Sequence, residues 1–188
     1  MNIIDIANQN SIKNATEVLC SSGVLVFPTD TVYGIGCLPK EESIQKLYKI
    51  KNRQNQPTAI LISGKIFKEF QANVLNSIDT EKLNQFNSGR LTLIVHIKKT
   101  GLVLPEIILK NNTIGVRMPK YRWLEELIDE VGPIVASSAN KAGERASKCF
   151  KELDQQIIEE TDLVIKTDEL LGGLPSSIYN LETSETLR

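Results

Sequence analysis

Apolar positions along this chain alternate between a helical and an extended period. Ile12, Ala15 and Leu19 recur at helical spacing, and Ser21-Ser22-Gly23 ends that helix before the unbroken run Val24-Leu25-Val26-Phe27. Four consecutive apolar residues predict a strand covered on both faces. A second helix carries Ile44, Leu47 and Tyr48, and Ala59-Ile60-Leu61-Ile62 predicts another buried strand. Residues 65 to 88 are expected to be helical. From Leu91 to Ile97 the pattern alternates, with Leu91, Leu93, Val95 and Ile97 on one face and Thr92, Ile94 and His96 on the other. Trp123, Leu124, Leu127, Ile128 and Val131 mark a helix that Gly132-Pro133 stops before the short strand Ile134-Val135-Ala136. The last third predicts a helix with Phe150, Leu153 and Ile157, a strand Leu163 to Ile165, and a Gly172-Gly173 turn. Such alternation specifies a layered α/β fold rather than a bundle or sandwich.

Composition narrows the class only a little. At 188 residues one core suffices, so residues 1–188 are read as a single domain. Twenty-two Lys plus Arg against 23 Asp plus Glu give a net charge of −1, so any anion must be held by local clustering rather than by the field of the whole molecule. Cys20, Cys37 and Cys149 form no C-x-x-C pair and predict neither a disulfide framework nor a zinc site. The N-terminus has no leader pattern, and no run approaches membrane-spanning length, so a reducing cytoplasm is expected.

Two polar, turn-forming segments follow buried strands, where α/β folds commonly assemble ligand sites. They are Pro28-Thr29-Asp30-Thr31-Val32-Tyr33-Gly34 and Ser137-Ser138-Ala139-Asn140-Lys141-Ala142-Gly143. The competing reading is that their hydroxyls only satisfy turn backbone. Lys51 continues the stripe Ile44, Leu47, Tyr48, so its ammonium faces inward and needs an anionic partner; Arg53 could join it on a polyphosphate, the alternative being a snorkelling lysine at a helix end. Arg117, between Gly115 and Pro119, is held where it could meet a carboxylate, either of a ligand or in a structural ion pair. His96, the sole histidine, is read as packing or hydrogen bonding. A P-loop, a three-glycine dinucleotide loop, a Ser-His-Asp system and a His/Cys metal cluster are all missing. Catalysis is therefore expected to work by positioning and charge stabilisation.

Taken in order, these stretches resemble the YrdC-like threonylcarbamoyl-AMP synthases from about residue 23 to Arg188. GVLVFPTDTVYGIG resembles the family's P-T-[ED]-T-V-Y-G-L segment, and Lys51-Asn52-Arg53 its K-x-R helix end. Gly89-Arg90-Leu91-Thr92, TIGVRMP, Ser138-Ala139-Asn140 and Pro175-Ser176-Ser177-Ile178 resemble its later blocks. Departures occur at Pro57-Thr58-Ala59, where the family often has N-P-L, at Ile62, where many members have histidine, and at Ser88-Gly89, where Pro-Gly is usual. The chain looks like the short form without an additional C-terminal domain.

The resemblance implies a twisted open mixed α/β sheet of the YrdC/RibB-like type, with flanking helices and a concave ligand cavity. By the same resemblance Thr31, Arg117, Ser176 and the backbone at Ala136 would hold L-threonine. Lys51, Arg53, Thr113, Ser138, Asn140 and Arg188 would hold ATP with Mg²⁺, Lys51 and Arg53 acting in catalysis; no protein metal site is implied. The threonine amine would capture bicarbonate as a carbamate that attacks the α-phosphate. The implied product is threonylcarbamoyl-AMP, passed to a transferase complex acting on the adenosine 3′ of the anticodon in tRNAs reading ANN codons. Two alternatives stay open: an RNA-binding module of the same fold, and a relative using carbamoyl phosphate.

Overall fold

Strands that the sequence leaves without polar interruption are buried on both faces, and they form the centre of one sheet. The computed structural model describes residues 2–52, 58–75, 78–141 and 143–187. In chain order the elements are β1 (Ile3–Asp5), α1 (Ser11–Cys20), β2 (Leu25–Phe27), β3 (Gly34–Cys37), α2 (Glu41–Ile50), β4 (Ala59–Leu61), α3 (Gly64–Leu75) and α4 (Thr80–Asn87). There follow β5 (Leu91–His96), β6 (Thr113–Arg117), α5 (Arg122–Val131), β7 (Ile134–Ser138), α6 (Gln155–Glu160), β8 (Leu163–Lys166), β9 (Ser177–Asn180) and β10 (Glu185–Thr186). The ten strands make one mixed sheet in the order β1-β8-β2-β3-β7-β4-β6-β5-β9-β10.

Each face of the sheet has its own apolar layer. On one, Val24, Val26, Ile35, Ile60, Ile62, Leu93, Val95, Ile114, Val116 and Val164 pack with Ile44 and Leu47 of α2 and with Phe67, Phe70 and Phe86. On the other, Leu25, Phe27, Leu61, Ile134, Leu163 and Ile165 pack under Ala15 and Leu19 of α1 and Trp123, Leu124, Leu127 and Ile128 of α5. The Trp123 indole N–H donates to Ser11 Oγ at 2.9 Å, tying the two helices. Gly132, with φ +87°, terminates α5 in the left-handed region that glycine enters without steric cost. Among the described residues no helix is long and apolar enough to cross a membrane.

Several expectations are corrected in detail. The helix expected through Phe150, Leu153 and Ile157 is a 3₁₀ turn (Phe150–Glu152) followed by α6, because Leu153 and Asp154 are extended and Asp154 Oδ1 caps α6 through the Ile157 amide at 3.1 Å. Residues 65 to 88 form two helices, the second capped by Asp79. The strand Ile134 to Ala136 runs on to Ser138, since Ile35 and Gly34 of β3 pair with Ser137 and Ser138. Strands β1, β3, β9 and β10 were not anticipated.

Close approach of β3 and β7 depends on Gly36. A Cβ there would stand 2.6 Å from the Val135 carbonyl oxygen. Gly36→Ala should therefore lower stability by about 1–3 kcal/mol. Gly64→Ala, at the start of α3 with only Met118 Sδ at 3.9 Å, should be neutral or stabilising by up to about 1 kcal/mol. Urea unfolding of both variants checks the contrast, and equal midpoints would contradict it.

Candidate active site

A cavity of about 470 Å³ opens where one face of the central strands loses its large side chains. The pairing register shows why. Ala136 of β7, Ala59 of β4 and Gly115 of β6 lie side by side, and Ser138 pairs with Gly34 one step along. These residues fill little height above the sheet, whereas the helix-covered part of the same face carries Leu, Ile and Phe. The cavity is thus a gap in a packed layer, floored by backbone and methyl groups and walled on one part by Thr29, Thr31, Thr58, Thr92, Thr113, Ser137, Ser138, Ser176, Lys110 and Arg117 and on another by the apolar Phe27, Leu61, Ile94, Ile108, Ile178 and Leu187.

Arg117 is the most constrained group in this wall. It is 8% exposed, at the end of β6. Its Nε donates to the Gly89 carbonyl at 3.1 Å, and Nη2 donates to Asp30 Oδ1 at 2.7 Å and to Thr31 Oγ1 at 2.9 Å. Nη1 makes no hydrogen bond to a described residue, leaving two donors for a ligand. Burial opposes the charge of both partners: it pushes the Asp30 carboxyl above its ordinary value, Arg117 and nearby amides pulling the other way without cancelling it, and it lowers the Arg117 value while Asp30 raises it. Gly89, with φ +77°, brings its backbone against Asp30; a Cβ there would lie 2.3 Å from Oδ2.

The loop from β2 to β3 is organised by Thr29. Its Oγ1 donates to the Val32 carbonyl at 2.7 Å and accepts from the Thr31 and Val32 amides at 3.1 and 3.2 Å. Across the cavity Thr92 and Ser176 share a hydrogen bond of 2.8 Å, fixing the segment before β9. Thr113 Oγ1 donates to the Lys110 carbonyl at 2.6 Å.

Six of the residues singled out in the sequence share this one wall: Thr31, Arg117, Ala136, Ser176, Thr113 and Ser138. Lys51 and Asn140 stand apart from it. Lys51, at the C-terminal end of α2 and 1% exposed, donates from Nζ to the Ser138 and Asn140 carbonyl oxygens, the latter at 2.8 Å. The described partners of that inward-facing cation are thus backbone dipoles, where the sequence called for an anion. Lys51 also lines a second, more polar cleft with Lys46, Lys49, Lys141, Glu144 and Glu160. Asn140 turns its Nδ2 to the Lys141 and Glu144 carbonyls at 2.9 and 2.8 Å, closing the loop on itself. Arg53, Arg188 and Pro57 lie outside the described residues. His96 is not among the residues lining the cavity, and its ring accepts from the Lys98 amide at 3.3 Å.

Asp30, Thr92 and Lys110 were missed as site residues. Asp30 sits between two threonines in the segment singled out, but only the fold reveals that it faces Arg117. Lys110 precedes a two-residue Asn turn that carried no apolar signal.

The Sua5_yciO_yrdC family model, described as telomere recombination, matches residues 17–188. The chain belongs to this family. Its similar relatives include the threonylcarbamoyl-AMP synthase of Pseudomonas putida (strain GB-1), 29% identical over 187 residues that cover 94% of this chain and 96% of that protein. The synthase of Pseudomonas aeruginosa (strain UCBPP-PA14) is 28% identical over 179 residues, 93% and 94% of the two chains. Among solved structures, P. abyssi Sua5 complexed with L-threonine matches with TM-score 0.78 and 25% identity over 97% of this chain, which spans 55% of that Sua5. E. coli YciO matches with TM-score 0.77 and 22% identity over 100% of this chain and 92% of its own, a likeness of fold. The mixed sheet with flanking helices expected from the resemblance is thus the fold of the Sua5 and YciO structures.

Removing the guanidinium leaves Asp30 buried without its counter-charge. Arg117→Ala should destabilise the protein by about 3 kcal/mol at pH 7, and adding Asp30→Asn should restore part of that loss. A carboxyl whose folded pKa is raised favours the fold most in acid and loses that contribution as pH rises through its folded value. The Arg117→Ala penalty should accordingly shrink as pH falls toward the ordinary carboxylate range. Urea unfolding from neutral to mildly acid pH measures this; additive single and double variants would contradict the pairing.

Proposed function

We propose that this chain is an L-threonylcarbamoyladenylate synthase, a nucleotidyltransferase forming threonylcarbamoyl-AMP and pyrophosphate from L-threonine, bicarbonate and ATP. The observation that carries the reading is the Arg117 guanidinium, fixed by Asp30 and Gly89 with Nη1 left over, at one end of a cavity walled by hydroxyls and cations. Such a group suits the carboxylate of a small amino acid. Its neighbours Thr31 and Ser176 and the Ala136 backbone would bind the rest of L-threonine. The names of the Pseudomonas relatives and the threonine complex of Sua5 support the same substrate.

The threonine amine attacks CO₂, or bicarbonate with loss of water, and becomes a carbamate. A carbamate oxygen then bonds to the α-phosphorus as the bond to the β-phosphate oxygen breaks, and pyrophosphate leaves with the electron pair. Nothing in this sequence calls for a protein nucleophile. Aligning the two substrates and balancing phosphate charge supply the rate enhancement. ATP would enter as its magnesium complex, and the hydroxyls and cations of the described cavity wall would meet its phosphates. Thr113 and Ser138 would contact the nucleotide from the wall, with Arg53, Arg188, Lys51 and Asn140 completing the site directly or by holding its loops. The adenylate then passes, in the cytoplasm, to a transferase complex that modifies the adenosine 3′ of the anticodon in tRNAs reading ANN codons.

The test is pyrophosphate release with ATP, Mg²⁺ and bicarbonate, comparing L-threonine, L-serine and no amino acid. Release should require threonine and bicarbonate. Arg117→Lys, which keeps the charge but loses the planar fork, should lower kcat/KM for threonine roughly 100-fold with little change in KM for ATP. Folded protein that releases no pyrophosphate with threonine, yet binds RNA with steep salt dependence, would replace this reading with an RNA-binding role.

A further inference from the structure

Between the end of β8 and the start of β9 the chain crosses the molecule as a strap without regular structure, residues 167–176. Its attachments can be followed one by one. The Leu171 amide donates to the Lys148 carbonyl at 2.9 Å, and the Gly173 amide donates to the Thr31 carbonyl at 2.6 Å. Gly172 lies directly on the loop between β2 and β3: a Cβ there would stand 2.8 Å from the Asp30 carbonyl oxygen. At the far end Ser176 is tied to Thr92. The strap thus rests on the backbone of Asp30 and Thr31, whose side chains hold Arg117.

The near end is held by Tyr33. Its side chain is fully buried, and its Oη accepts from the Thr167 amide at 3.0 Å. Thr167 is itself buried, so its amide depends on that oxygen rather than on water. The Tyr33 amide donates to the Ser147 carbonyl, and the Tyr33 carbonyl accepts from the Ala139 amide, both at 2.8 Å. One residue therefore uses three polar groups on three loops, and the phenol is the one that reaches the strap. Tyr33 is not among the residues lining the cavity. Burial pushes its phenol up to about 12, so at neutral pH the group is an uncharged hydroxyl standing behind the site.

We infer that Tyr33 is a positioning residue for the amino-acid end of the site: through the Thr167 amide its phenol seats the strap on Asp30 and Thr31 and delivers Ser176 to the cavity. The effect is directional. The strap reaches Thr31, Ser176 and, through Asp30, Arg117, which meet threonine in the proposed function. Thr113 and Ser138, which meet the nucleotide there, lie on β6 and β7. This assignment rests on the synthase reading, and its test separates the two.

Tyr33→Phe removes the phenol oxygen alone. Gly172→Ala sets a methyl group against the Asp30 carbonyl and should lift the strap at a second, independent point. Both are compared with the parent chain by hydrogen exchange of residues 167–176, by calorimetric binding of L-threonine to the free protein, and by steady-state pyrophosphate release. In both variants the strap amides should exchange faster. The Kd and KM for threonine should rise about threefold to tenfold, since only molecules with the strap seated bind it well, and KM for ATP should not move. A residue that merely supports the fold would lower the amount of active enzyme, and with it the apparent kcat, without moving either KM. That outcome, or unchanged exchange in the strap of Tyr33→Phe, would overturn the assignment while leaving the synthase reading in place. Threonine binding that weakens in both variants of a parent chain releasing no pyrophosphate would uphold the assignment and remove the synthase reading. A parent chain that binds no threonine would overturn both.

Discussion

A guanidinium carried into the interior of a sheet has to find partners, because an unpaired buried charge costs several kcal/mol. Arg117 finds three, in two segments besides its own strand β6: Asp30 and Thr31 in the loop between β2 and β3, and Gly89 in the turn between α4 and β5. One side chain thereby fixes the relative positions of three pieces of backbone that are far apart in sequence. The carboxylate shapes its own surroundings as well. Asp30 Oδ2 occupies the space a Cβ on residue 89 would take, so the turn before β5 can approach only with glycine at that position. The partnership leaves Nη1 without a hydrogen bond to a described residue, so in the proposed function the structural ion pair and the carboxylate receptor are one residue used on two sides.

What gives the cavity room is subtraction. Gly34, Ala59, Gly115 and Ala136 lie on adjoining strands where the same face elsewhere supports α1 and α5 through Leu25, Phe27, Leu61 and Ile134. Packed interiors tolerate few voids, so an opening of this size persists only if its walls are held independently of what fills it. The opposite face supplies that support with an unbroken apolar layer, and Thr29, Thr92 and Ser176 hold the rim through their own hydrogen bonds.

Much of this was legible in the sequence. The apolar runs at 24–27 and 59–62 and the helical stripes of α1, α2 and α5 follow directly from periodicity, since burial on a given face is what periodicity records. Polar residues directly after strands marked both segments that reach the cavity. The unanticipated strands share a reason. In β3, Gly-Ile-Gly-Cys has too few side chains to show alternation, and β9 and β10 lie toward one edge of the sheet, where one-sided burial leaves a weak pattern. Pairing partners make these strands, and partners are not visible in a single segment.

The two lysines show the same boundary within the site. Lys51 was conspicuous because it lies on an apolar stripe, and its interior position is what the structure shows; periodicity can place a side chain inside but says nothing about what it meets there. Its described partners are the Ser138 and Asn140 carbonyls, so the amine anchors the loop after β7 to the end of α2 and holds Ser138 at the cavity. Lys110 was inconspicuous because exposed lysines in turns are ordinary. The isolated bridge from Lys110 to Thr113 sets it beside the start of β6, the strand that ends at Arg117, which no reading of a single segment would show.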